Sequence, residues 1–158
     1  MKKIDSFTID HIRLQPGLYV SRKDKAGAET VTTFDLRVTS PNEEPVMSTG
    51  EIHAMEHLAA TSLRNDALWG DKIIYFGPMG CRTGFYLLIS GEYTSSDVVV
   101  LVRDCFRFIA DFVGEIPGAT AKDCGNYLDM DLPAANVRAG KYAALLETPA
   151  ADRLIYPQ

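Results

Sequence analysis

The chain has 158 residues, of which 46% are hydrophobic and 23% are charged, and its formal net charge is −5. A chain of this length can bury most of its apolar surface, so residues 1–158 are predicted to form one domain. The acidic balance argues against nucleic acid or an anionic membrane as a main partner. No apolar run approaches the ~20 residues that a membrane helix needs, and no apolar stretch follows the two amino-terminal lysines. These features predict a cytoplasmic protein whose three cysteines stay reduced.

Strand and helix patterns are interspersed along the chain. Residues 17–38 indicate two strands around a charged turn at residues 21–29. Three helices are predicted at residues 48–68, 97–113 and 133–146, and two further strands at residues 72–76 and 85–90. This order predicts an α+β fold, in which three main helices pack against a mostly antiparallel sheet of about four or more strands. The local patterns do not indicate the strand order.

The first predicted helix carries two of the three histidines, His53 and His57, with Glu56 between them. Residues four apart lie on one face of a helix, so both imidazoles can reach the same metal ion. They lie at the edge of the predicted apolar stripe, which suits a partly covered metal site. Two imidazoles leave a divalent ion short of ligands. One further protein ligand would give an open, catalytic site, whereas two would close a structural one.

The cysteines differ in their surroundings. Cys124 lies in a glycine-containing loop with polar neighbours, and it is the best candidate for the third ligand. Cys81 follows a glycine and precedes an arginine in a loop between strands, where a cation can lower a thiol pKa. It is interpreted as an acid/base or nucleophile, with a fourth zinc ligand as the alternative. Cys105 lies on the apolar stripe of a helix and is assigned to the core.

Five sequence blocks, taken in order, point to a known family. They are residues 5–11, residues 34–37 followed by 41–42, and residues 53–58, 78–86 and 124–127. Together they span nearly the whole chain and resemble the S-ribosylhomocysteine lyase family, the LuxS-type enzymes that make the precursor of autoinducer-2. The resemblance implies a single metal-dependent catalytic domain.

The resemblance also implies roles for individual residues. His53, His57 and Cys124 would bind one divalent metal per subunit, ferrous iron in the native family enzymes and often zinc or cobalt in preparations. Glu56 and Cys81 would form an acid/base pair. They would move a carbonyl group along the ribose of S-ribosylhomocysteine, and β-elimination would then release homocysteine and 4,5-dihydroxy-2,3-pentanedione.

Substrate contacts and a partner subunit are implied as well. Ser6, His11 and Arg37, which carry no distinctive pattern by themselves, would help to bind the substrate. The family forms homodimers with active sites at the subunit interface, so the amino-terminal segment would serve the partner's site. The chain has Tyr75-Phe76-Gly77 where many members have Asp-Ile-Ser, and Leu128 and Met130 where Arg and His are usual.

Two other functions stay open on the residues alone. The His-x-x-Glu-His order also marks the inverted zincin peptidases, although those enzymes are larger and complete their site with a glutamate. A non-enzymatic zinc module would instead close a four-ligand site by adding Cys81 to the histidines and Cys124.

Overall fold

A computed structural model of the chain describes residues 7–157. Within that range four strands form one sheet, alongside three α-helices. The elements are β1 (Gly17–Ala26), β2 (Glu29–Arg37), α1 (Thr49–Arg64), β3 (Ile73–Pro78), β4 (Gly84–Ser90), α2 (Ser95–Asp111) and α3 (Leu132–Leu145). The strand order is β1-β2-β4-β3, and every neighbouring pair is antiparallel. The predicted α+β fold is therefore confirmed. None of these helices has both the length and the apolarity needed to cross a membrane.

The first hairpin is longer than its sequence pattern predicted. The charged turn predicted at residues 21–29 was wrong in extent, because β1 continues to Ala26 and the turn is confined to residues 27–28. Gly27 has a φ of 65°, the left-handed conformation that a tight hairpin turn requires. The outer half of β1 is an exposed edge strand, where charged side chains are tolerated and discourage pairing with other chains.

The hydrophobic core lies between one face of the sheet and the helices. Leu18, Leu36 and Phe85 are paired in register across three strands, and each is at most 1% exposed. The apolar stripe predicted for α1 is confirmed, since Ile52, Met55, Ala59 and Leu63 are all buried. Cys105 is also buried, as its position on the stripe of α2 predicted. The packing of this stripe fixes which residues of α1 lie at its edge.

The opposite face of the sheet carries polar groups under the carboxyl-terminal segment. Tyr19, Asp35 and Tyr86 are cross-strand partners on this face. The ring of Tyr156 stacks on that of Tyr19, with 4.8 Å between the centroids, and its hydroxyl donates to Asp35. Asp35 is buried on this face, and so is Arg37, two residues further along β2.

Candidate functional site

The first turn of helix α1, which precedes the two histidines, is held by two side-chain contacts. Ser48 is the N-cap: its hydroxyl accepts a hydrogen bond from the backbone N–H of Glu51 at 3.1 Å. The carboxylate of Glu51 in turn accepts from Nε of Arg138 on α3, also at 3.1 Å. The cap and this ion pair hold the first turn, and His53 and His57 follow it on one face of the helix.

The structure brings His53, His57 and Cys124 together. One donor atom from each residue lies within 4.8 Å of the others. Sγ of Cys124 is 3.2 Å from Nε2 of His53, and the two imidazole rings are 5.0 Å apart between centroids. All three residues are partly buried. Two imidazoles and a thiolate at this spacing suit one divalent transition-metal ion with tetrahedral preferences.

The hydrogen bonds of the imidazoles turn their remaining nitrogens toward this group. Nδ1 of His53 donates to Oδ1 of Asp129 at 2.8 Å, and Nδ1 of His57 donates to the carbonyl oxygen of Pro117 at 2.8 Å. An acceptor at each Nδ1 fixes the proton there, so each Nε2 keeps a lone pair for a metal. The donor set therefore fits the metal that the family implies. Sequence reasoning missed Asp129 and Pro117, because both are remote from the histidines in the chain.

Cys124 is presented by a tight turn. The carbonyl of Thr120 accepts from the backbone N–H groups of Cys124 and Gly125, at 3.0 and 3.3 Å. Gly125 has a φ of 81°, which glycine adopts without strain. The tight glycine turn predicted next to Cys124 is thus present.

Glu56 lies beside the three donors. With His53, His57 and Phe76 it lines a shallow cavity of about 440 Å³ at the surface of α1. It is partly buried. A carboxylate in this position can take up or release a proton on a molecule held at the donor group.

Cys81 lies in a different cavity of about 500 Å³. Among the residues that line it are His11, Arg37, Met79, Thr83 and Tyr86. This cavity shares no lining residue with the one that contains Glu56. Among the described residues, the group of potential metal ligands includes Cys124 but not Cys81, so these side chains do not form the four-ligand zinc site considered above.

The loop between β3 and β4 sets the surroundings of the Cys81 sulfur. Sγ lies 3.1 Å from Oγ1 of Thr83 and 3.7 Å from Nη1 of Arg37. Partial burial of the sulfur acts to raise the thiol pKa, but hydrogen bonds from Thr83 and the positive charge of Arg37 outweigh it. The pKa of Cys81 is consequently lowered below its ordinary value. The sequence suggested such a shift from the adjacent Arg82, whereas the cation beside the sulfur is Arg37.

Arg37 is held by a buried ion pair. Its Nη2 donates to Oδ2 of Asp35 at 2.6 Å, with the two side chains only 4% and 1% exposed. Its Nη1 donates to the hydroxyl of Thr83. Burial acts to lower the pKa of Arg37, but the Asp35 carboxylate outweighs it and raises that pKa, so the guanidinium stays charged. Arg37 lines the Cys81 cavity, where a bound substrate could also contact it.

The remaining predicted substrate residues fall at the amino terminus. His11 lines the Cys81 cavity and is exposed, and its Nδ1 donates to the carbonyl of Ile9 at 2.9 Å. Ser6 lies outside the described residues. At the position where the chain departs from the Asp-Ile-Ser pattern, the Tyr75 ring lies against Gly77, and a β-carbon there would collide with its hydroxyl.

Comparison with known proteins gives the same family over the full chain. A profile of the family described as S-Ribosylhomocysteinase (LuxS) matches residues 4–150. The S-ribosylhomocysteine lyase of Clostridium acetobutylicum is 62% identical over 158 residues, covering 100% of both chains. The S-ribosylhomocysteine lyase of Phocaeicola vulgatus is 59% identical, covering 99% of this chain and 98% of the relative, and that of Porphyromonas gingivalis strain W83 is 52% identical, covering 99% of both. The predicted resemblance is confirmed: the chain belongs to the S-ribosylhomocysteinase (LuxS) family of carbon–sulfur lyases.

Proposed function

We propose that this chain converts S-ribosylhomocysteine to homocysteine and 4,5-dihydroxy-2,3-pentanedione, the precursor of autoinducer-2. One observation carries the proposal. The three donors His53, His57 and Cys124 converge beside the carboxylate of Glu56, while the thiol of Cys81 is kept out of the donor group and has a lowered pKa. The names of the relatives support the choice of substrate.

The proposed cofactor is one divalent metal per subunit, ferrous iron in the cell and zinc or cobalt in some preparations. His53, His57 and Cys124 would hold it, and water would complete the site. When bound, a metal of this kind supplies Lewis-acid polarisation of sugar oxygens. Soft thiolate and imidazole ligands fit these ions better than magnesium or calcium.

Cys81 and Glu56 would carry the proton transfers. Each carbonyl shift removes a proton from the carbon beside a carbonyl group and returns a proton to the former carbonyl carbon. Two shifts move the carbonyl from C1 to C2 and then to C3 of the ribose. Removal of the C4 proton then expels the homocysteine sulfur from C5 with its bonding electrons. A thiol whose pKa is lowered suits this chemistry, because a larger fraction of it is thiolate at any given pH.

A homodimer would complete each active site. The two acid/base residues line separate cavities of one chain, which supports a site that a partner subunit completes. The substrate-binding roles proposed for His11 and Arg37 belong to the side that carries Cys81, and Ser6 is proposed to help bind the same substrate. Each chain would thus act as one catalytic domain, in the cytosol, where Cys81 and Cys124 can function as reduced thiols.

Mixing two inactive variants tests the shared site. Cys81→Ala and Glu56→Gln should each be inactive alone, and re-equilibrated equal mixtures should recover roughly a quarter of the wild-type sites, since half of the dimers are mixed and one of their two sites is intact. No recovery in mixtures that exchange subunits would refute a site built across the interface. A monomer by sedimentation would refute the dimer itself.

The reaction is tested by anaerobic thiol release from S-ribosylhomocysteine with the iron-loaded protein, with peptides offered in parallel. Peptide cleavage without release of the homocysteine thiol would favour the peptidase alternative. In the cobalt-substituted protein, Cys124→Ala should remove the thiolate band and His57→Ala should lose the metal, whereas Cys81→Ala should keep the metal and lose turnover. Equal loss of the band in Cys81→Ala and Cys124→Ala would favour a structural zinc module.

A further inference from the structure

We propose that Tyr156, in the carboxyl-terminal segment, is a positioning residue for the Cys81 sulfur and acts through Asp35, Arg37 and Thr83. This inference rests on the proposed function, in which Cys81 moves protons on the substrate. Tyr156 lines neither the Cys81 cavity nor the cavity of Glu56, so it does not act there by direct contact with a ligand.

The contacts form one continuous chain of hydrogen bonds. The Tyr156 hydroxyl donates to Oδ2 of Asp35 at 2.7 Å, and Nη2 of Arg37 donates to the same oxygen at 2.6 Å. Nη1 of Arg37 donates to Oγ1 of Thr83, and this hydroxyl lies 3.1 Å from Sγ of Cys81. Because Oγ1 already accepts from Arg37, the hydrogen of Thr83 is left to point at the sulfur.

The ion pair at the centre of this chain has few other partners. Within residues 7–157, Oδ1 of Asp35 and Nε of Arg37 are buried and have no hydrogen-bond partner. Each bond that remains is therefore important, because a buried charge is costly unless its polar atoms are satisfied. The Tyr156 hydroxyl supplies one of the two bonds to Asp35, and burial raises the pKa of Tyr156, so it remains a donor throughout the working pH range.

The tail is fixed from two sides. The ring of Tyr156 stacks on Tyr19, and Nη1 of Arg153 donates to the carbonyl of Pro16 at 3.2 Å. A hydroxyl held in this way can set the position of Asp35. Without it, the carboxylate would be stabilised by Arg37 alone, and the guanidinium would be drawn toward Asp35 and away from the sulfur.

Tyr156→Phe tests the inference, because it removes the hydroxyl and keeps the stacking ring. The readout is the pH dependence of Cys81 alkylation by iodoacetamide in metal-loaded protein, followed on the Cys81 peptide by mass spectrometry. The midpoint should rise by about 0.5 unit, which slows alkylation roughly threefold below the midpoint. Charged and titratable neighbours of the sulfur other than Arg37, namely His11, Arg82 and Tyr86, are unchanged in this variant.

Tyr142→Phe is the matched control. It also removes a buried phenol hydrogen bond, from the Tyr142 hydroxyl to the carbonyl of Gly17 at 2.7 Å, but it does not interrupt the chain. It should leave the alkylation midpoint unchanged. In a Thr83→Val background, the effect of Tyr156→Phe should shrink, because the two variants interrupt the same chain.

Two results would overturn the inference. An unchanged midpoint in Tyr156→Phe, whatever happens to turnover or stability, would show that the tail has only a structural role. Full turnover of Cys81→Ala would overturn the proposed function instead, and with it the catalytic role of this chain of hydrogen bonds. Alkylation needs no substrate, so the two failures can be told apart.

Discussion

Asp129 should control how tightly the metal is held at His53. Its Oδ1 accepts from Nδ1 of His53 at 2.8 Å, which fixes the tautomer and makes Nε2 a better donor. Loss of such a partner typically weakens metal binding 10–100-fold. Asp129 is 41% exposed, so solvent screens the contact and the effect should lie at the low end. We expect Asp129→Ala to weaken binding about tenfold, or about 1.4 kcal/mol, and Asp129→Asn to weaken it less, because its amide oxygen can still accept.

The measurement is competition for cobalt or zinc against a chelator of known affinity at fixed pH and salt. Asp104→Asn is the control for the loss of one carboxylate charge. Asp104 is 53% exposed and pairs with Arg103 and Arg107 on α2. Affinities of Asp129→Ala and Asp104→Asn that agree within about twofold would refute the orienting role of Asp129.

Three further predictions concern the loop thiol, the sheet and the core. Thr83→Val should raise the Cys81 alkylation midpoint by about one unit, because it removes a hydroxyl that stabilises the thiolate; an unchanged midpoint would contradict this. Gly84→Ala should lower the free energy of unfolding by about 1–3 kcal/mol in denaturant titrations, since its β-carbon would meet the carbonyl of Leu36, whereas Gly80→Ala, with open space around it, should change little. Burial raises the pKa of Cys105 to about 12, so the contribution of its thiol to stability is complete below the unfolded pKa near 9 and is lost as pH rises toward 12. Cys105→Ala should therefore flatten the fall of the unfolding free energy at alkaline pH by up to about 1.4 kcal/mol per pH unit. The same slope in the variant and the wild type would contradict this prediction.

Local periodicity predicted the helices well. The stripe of α1 places His53 and His57 at its edge because burial of the stripe fixes the helix rotation. Cys124 could be proposed as a ligand from its glycine-containing loop, because a turn of that kind depends only on local backbone freedom. The outer half of β1 was missed because its charged residues have a turn-like composition, although an exposed edge strand accepts them.

Contacts between distant parts of the chain were not predicted. Asp129 and Pro117 lie 76 and 60 residues from the histidines that they orient. Tyr156 lies 121 residues from Asp35, and no local pattern links them. The strand order is likewise a long-range property, since β4 is inserted between β2 and β3. The contact between Thr83 and Cys81 could have been anticipated from the sequence, because the two residues are only two positions apart in a loop already singled out.

The two histidines differ in what can be altered genetically. The partner of His53 is a side chain, so single substitutions at Asp129 can adjust metal retention in steps while the backbone stays in place. The partner of His57 is the main-chain carbonyl of Pro117, which no substitution can delete. Its position depends on the chain reversal at Gly118, where φ is 73° and a β-carbon would lie 3.2 Å from the imidazole. Drift or engineering can therefore tune the His53 half of the site through one side chain, whereas the His57 half can be altered only by moving the backbone, for example through a substitution at Gly118.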